Sequence, residues 1–78
     1  DLPALTKHFL KKHGYESITG FSDSTMEILQ NYTWPGNVRE LENVVRRTAI
    51  LAQSENRNLI QIQDLPNEII EKKLETKE

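Results

Sequence analysis

Apolar positions recur at helical spacing in four stretches of this chain, separated by short polar or glycine-bearing connections. The first stripe is Leu2, Leu5, Phe9 and Leu10. Asp1 and Pro3 give it a helix start, with proline in the first turn. Lys7, Lys11 and Lys12 lie off the stripe, and the last two suit a helix C-terminus. Gly14 is the expected C-terminal cap. Tyr15 to Phe21 reads as a connector from which Ile18 and Phe21 turn into the core. Ser22 is a good N-cap for a second helix, and Phe21 before it pairs with Met26 as a hydrophobic staple. Met26, Leu29 and Tyr32 share a face of this helix, with Ile28 beside it, and residues 31–36 break it.

The third and longest helix is expected over about Val38 to Gln53. Leu41, Val44, Val45, Thr48, Leu51 and Ala52 form its apolar side, and Arg39, Glu42, Asn43, Arg46 and Arg47 occupy the rest. Ser54 to Asn58 is a polar loop, and Leu59 to Ile62 is short, apolar-rich and extended in expectation. Asp64-Leu65-Pro66 is expected to open a last helix carrying Ile69, Ile70 and Leu74. The pattern predicts an all-α fold, a small four-helix bundle with one short extended segment near residues 59–62. Residues 1–71 form the domain, and 72–78 a charged, fraying tail.

Composition narrows the function more than the fold. At 78 residues the chain suffices for one small domain, which buries roughly 60–65% of its unfolded surface. It has no cysteine, so disulfide and thiolate–metal frameworks are excluded; an intracellular setting is compatible with this. A formal net charge of −2, with no single-sign block of five or six residues, argues against a general nucleic-acid binder and against a polybasic membrane patch. No stretch of about 18 apolar residues and no signal-peptide pattern occurs. The chain starts at Asp1, directly on a helix signal, and is expected to be a piece of a longer protein.

The densest local signal is Trp34-Pro35-Gly36-Asn37-Val38-Arg39-Glu40-Leu41. Pro35 fixes its own φ and should push Trp34 toward an extended conformation. Gly36 permits a sharp reversal. Asn37 is the expected N-cap, with Glu40 three residues on to reach back to it. Arg39 then falls at the second helical position, where unpaired N–H groups and the helix dipole favour an anion. A cation there is unfavourable for the helix alone, and the simplest reason to place one is that an anion arrives.

Competing readings bear on the same residues. Arg39 can be a surface arginine paired with Glu42 or Asn43, or laid along Trp34. Trp34 itself reads as an anchor in the core or turn. His8 and His13 lie five positions apart, which does not share a helix face, so both are expected to be solvated rather than metal ligands. No Ser/His/Asp signature and no phosphate-cradling glycine loop occurs. The second and third helices with their glycine turn invite a stand-alone helix-turn-helix DNA-binding module, with Arg46 and Arg47 as candidates. Against it, Glu40 and Glu42 sit on the turn that would face phosphates. A plain helical protein-interaction module is the third alternative.

The run from Trp34 through Val45 closely resembles the signature near the end of the AAA+ domain of sigma-54-dependent transcriptional activators, the NtrC-type enhancer-binding proteins of bacteria. Asp1-Leu2-Pro3-Ala4-Leu5 with His8-Phe9-Leu10 resembles the opening of that family's helical lid subdomain, and Ile62-Gln63-Asp64-Leu65-Pro66 its close. The resemblance covers roughly Asp1 to Ile70. It implies a lid that packs over ATP and Mg held mainly by an α/β subdomain. Arg39 matches the family's sensor II arginine, which reaches the ATP phosphates; Gly36 and Asn37 would shape its turn, and Val38 matches a position close to the nucleotide. It further implies a cytoplasmic ATPase ring that remodels sigma-54 RNA polymerase, with no direct DNA or membrane binding by this segment. On its own the segment would be no enzyme, lacking the phosphate loop and catalytic acids. The connector between the first two helices is short beside many relatives, and Thr25 and Thr48 stand where small apolar residues are expected.

Overall fold

The computed structural model describes the backbone of residues 1–76 and the side chains of residues 1–71. Four helices follow the predicted order: α1 (Leu2–Lys12), α2 (Asp23–Asn31), α3 (Asn37–Ser54) and α4 (Asn67–Thr76). Two residues of the first connector, β1 (Gly20–Phe21), pair in parallel with β2 (Leu59–Ile60), Gly20 opposite Leu59 and Phe21 opposite Ile60. The extended segment near 59–62 is therefore found, with a partner that the connector's sequence did not announce. It is shorter than expected: Ile62–Asp64 winds into a 3-10 turn, and α4 begins at Asn67 rather than at Asp64. The Leu74 side chain, and the side chains of the charged tail from Lys72 onward, lie outside the described residues.

Local chemistry explains the helix ends. Asp1 caps α1, its carboxylate accepting the Ala4 N–H at 3.4 Å. At the other end Tyr15 N–H donates to Leu10 O at 2.9 Å and Gly14 N–H to Lys11 O at 3.1 Å. This paired closure requires a left-handed residue, which Gly14 supplies at φ +81°. Ser22 caps α2 through Thr25 N–H, and Phe21 and Met26 stand in the staple positions. The C-terminus of α3 repeats the closure of α1. Asn56, at φ +58°, takes the glycine's place, and Arg57 N–H bonds Ala52 O at 2.9 Å.

The longest helix is the axis of the core. On one side Leu41, Val45, Ala49 and Ala52 meet Phe9 and Leu10 of α1, Ile18 and Ile60. On the other, Val44 meets Ile28 and Leu29 of α2, Leu65, and Ile69 of α4. Leu51, expected on the buried side, is 41% exposed, and Ala49 is buried in its stead. The two unexpected threonines are fully buried and satisfied. Thr48 Oγ1 donates to Val44 O at 2.8 Å, and the Thr25 and Ser22 hydroxyls lie 2.6 Å apart. No buried side-chain polar atom lacks a partner among the described residues.

Trp34 packs against both halves of this core. Its Nε1–H donates to Leu29 O at 2.9 Å and its ring meets Tyr32 edge-on, centroids 4.9 Å apart. The expected anchor role is met, but not in the expected backbone. Trp34 lies at φ +53°, in the left-handed region, instead of extended. Such a conformation costs on the order of 1 kcal/mol, and the indole's packing and hydrogen bond offset it.

Candidate phosphate-facing turn at the start of the long helix

Residues 34–39 connect α2 to α3, and the geometry corrects the capping scheme read from the sequence. The N-cap is Gly36, not Asn37. Gly36 has φ −88°, so the reversal falls on Trp34 and Asn37, both left-handed, at φ +53° and +58°. The need for glycine is steric. A Cβ at Gly36 would stand 2.8 Å from the Glu40 Cβ. That approach lets Glu40 Oε1 accept the Gly36 N–H at 2.8 Å, so the returning half of a capping box is realised one residue earlier than predicted. Glu40 Oε2 accepts the Tyr32 hydroxyl at 3.2 Å. Burial pushes the Tyr32 phenol above its ordinary value, and Glu40 and Glu68 add to the shift.

The four residues singled out from the sequence, Gly36, Asn37, Val38 and Arg39, are all exposed on this turn. Asn37 N–H bonds Trp34 O and Glu40 N–H bonds Gly36 O. Among the described residues no acceptor engages the N–H groups of Val38 and Arg39, so two donors of the helix start stay open beside the guanidinium. Arg39 is the third residue of α3 rather than the second. Val38 is 54% exposed, an aliphatic side chain without a cover.

No described residue pairs with Arg39. Of its two expected partners, Glu42 is engaged elsewhere. His13 Nε2 lies 2.6 Å from Glu42 Oε2, and Lys12 Nζ donates to the same oxygen at 3.3 Å. These bonds, His13 first and then Lys12, hold the Glu42 carboxyl below its ordinary value. His13 is thus not simply solvated; it ties the end of α1 to α3. Asn43 makes no bond to Arg39 either. Arg46 and Arg47, the DNA-reading candidates, are likewise exposed. Among the described residues no group of three His, Asp or Glu side chains is placed to hold a metal ion.

The sequence reading missed a second arginine. Arg57 grips Asp64 with both guanidinium nitrogens, Nη1 to Oδ2 and Nη2 to Oδ1, each at 2.8 Å. Arg57 Nε also donates to Glu55 at 2.9 Å, and Asp64 accepts the Gln61 N–H at 2.9 Å. Asp64 is only 4% exposed. The Arg57 guanidinium holds its carboxyl below the usual range against the opposing effect of burial. The available signal was an aspartate inside an apolar stretch, seven residues beyond the only arginine of the loop.

The family described as the AAA+ ATPase lid domain matches residues 1–78. Among relatives, the transcriptional regulatory protein XylR of Pseudomonas putida is 47% identical over 57 residues, 69% of this chain and 10% of XylR. The transcriptional regulatory protein ZraR of Escherichia coli K12 is 41% identical over 58 residues, 70% of this chain and 13% of ZraR. The DNA-binding transcriptional activator HyfR of the same organism is 40% identical over 62 residues, 76% of this chain and 9% of HyfR. The chain thus spans about a tenth of the length of these relatives, which are transcriptional regulators by name. With the helical bundle and the whole-length match together, this chain belongs to the AAA+ ATPase lid domain family.

Proposed function

We propose that this lid closes over ATP and Mg bound mainly by an α/β subdomain outside the chain, and that Arg39 is the sensor II arginine reaching the phosphates. Gly36 and Asn37 shape the turn, and Val38 lies against the nucleotide. The observation that carries the reading is the state of Arg39: an exposed guanidinium at a helix start, beside two open N–H donors, with Glu42, three residues on, drawn off by α1. A planar fork of donors suits phosphate oxygens, and a helix N-terminus favours the same ligand. A lid that touches the terminal phosphate moves when that phosphate leaves. In a cytoplasmic ring of subunits, that motion would remodel RNA polymerase bound by sigma-54. The regulatory names of the relatives support this setting.

The test is Arg39→Ala in the ATPase that contains this lid. ATP turnover or nucleotide-dependent assembly falls by about 10-fold or more, as expected for losing a charged hydrogen bond. Turnover and assembly both at wild-type levels would reject the assignment.

A further inference from the structure

The start of α3 has no side-chain cap of the ordinary kind, since its N-cap is a glycine and no bond from the Asn37 side chain closes it. It is also entered through two left-handed residues that are not glycine, Trp34 and Asn37. Each is a conformation that L side chains rarely adopt and so disfavours the turn, and a helix start left open in this way frays. One flank is fastened by the Trp34 indole on Leu29 O. The other is fastened by a single carboxylate. Glu40 Oε1 takes the Gly36 N–H and Oε2 takes the hydroxyl of Tyr32, the residue that ends α2. The clasp thus joins the end of one helix to the cap of the next. Arg39 is the residue immediately before Glu40, so the same bonds fix the backbone from which its guanidinium projects.

We infer that Glu40 is a positioning residue for Arg39: its carboxylate clasp on Gly36 and Tyr32 sets where the guanidinium points, and so the affinity for the nucleotide. The inference rests on the reading of Arg39 as a phosphate ligand. Glu40 touches no nucleotide; its effect passes through its neighbour. The Gln side chain can replace it, because the amide oxygen still accepts the Gly36 N–H and the amide N–H donates to the Tyr32 oxygen.

The test is a double-mutant cycle in the ATPase that contains this lid, read as KM for ATP and kcat. Glu40→Ala raises the KM about 10-fold, the order expected for a displaced contact, while in the Arg39→Ala background the same change moves it less than about twofold. Glu40→Gln stays within about twofold of wild type. Should Glu40→Ala fail to fold, Tyr32→Phe removes the hydroxyl half of the clasp. A rise of about threefold is then expected, again absent in the Arg39→Ala background. If Arg39→Ala weakens ATP use but the Glu40 or Tyr32 change does nothing, or acts equally with and without Arg39, the positioning role is overturned while the ligand reading stands. If Arg39→Ala has no effect, the ligand reading fails and the positioning role falls with it.

Discussion

The two ends of α3 each carry an arginine beside a left-handed turn, and the fold treats them oppositely. At the C-terminal end Arg57 is consumed. It spans Asp64 with two bonds of 2.8 Å, takes Glu55 on its Nε, and closes the loop that leads to β2. At the N-terminal end the two acids that follow Arg39 in sequence are each bonded to other groups: Glu40 to Gly36 and Tyr32, Glu42 to Lys12 and His13. No described residue pairs with Arg39. A guanidinium on a folded surface ordinarily gains little from pairing, so a missing partner alone means nothing. The informative fact is that two carboxylates within one turn are each held away from it by named bonds.

The comparison breaks first at its anchors. Trp34→Ala removes a side chain that touches both halves of the core, and is expected to cost about 3 kcal/mol, lowering the melting midpoint by more than about 10 °C. A variant melting within a degree or two of wild type would show that the N-terminal end needs no such anchor.

Asp64→Asn comes next. It keeps the shape but loses the charged partner of Arg57, and about 2 kcal/mol is expected. Its pH signature separates it from a packing defect. The folded Asp64 carboxyl titrates below its ordinary value of 3.8. Its contribution is therefore complete above the unfolded pKa and is lost as pH falls through the lower folded value. The wild-type midpoint should drop with acid below about pH 4, and the part of that slope due to Asp64 should vanish in the variant. Parallel slopes would remove the Arg57–Asp64 pair from the acid response.

Smaller still is the tie between α1 and α3. Lys12→Ala or His13→Ala should shift the midpoint by only about 2 °C, as for a partly exposed ion pair. Either change removes one of the two groups that hold Glu42, which stands three residues beyond Arg39, and so loosens it to compete with an incoming anion. A thermal scan and an ATP titration of the same variant would show little in the first and a weakened response in the second. A large thermal loss with unchanged ATP response would reverse that ranking.

Much of this contrast was legible before the structure, and the illegible part has a pattern. The helices followed from spacing because α3 is amphipathic over 18 residues, and the Ser22 cap and Gly14 closure followed from local chemistry. The turn at 34–37 was located correctly and built wrongly. Pro35 disfavours the helical region for Trp34, yet tertiary packing of the indole overrode the local preference and put that residue in the left-handed region. The glycine at 36 was read as conformational freedom, whereas the structure uses it for space against Glu40. The pairs Arg57–Asp64 and His13–Glu42 join separate elements. A charge pattern read along one helix face does not reveal them, and they decide which arginine is spoken for.

The claim that Arg39 is kept free for a terminal phosphate is tested most directly by discrimination between ATP and ADP. In a full-length protein that carries this lid, Arg39→Ala should leave the melting curve unchanged without nucleotide and should erase most of the preference for ATP over ADP in equilibrium binding. An unchanged ratio of the two affinities, with the variant folded, would contradict the account.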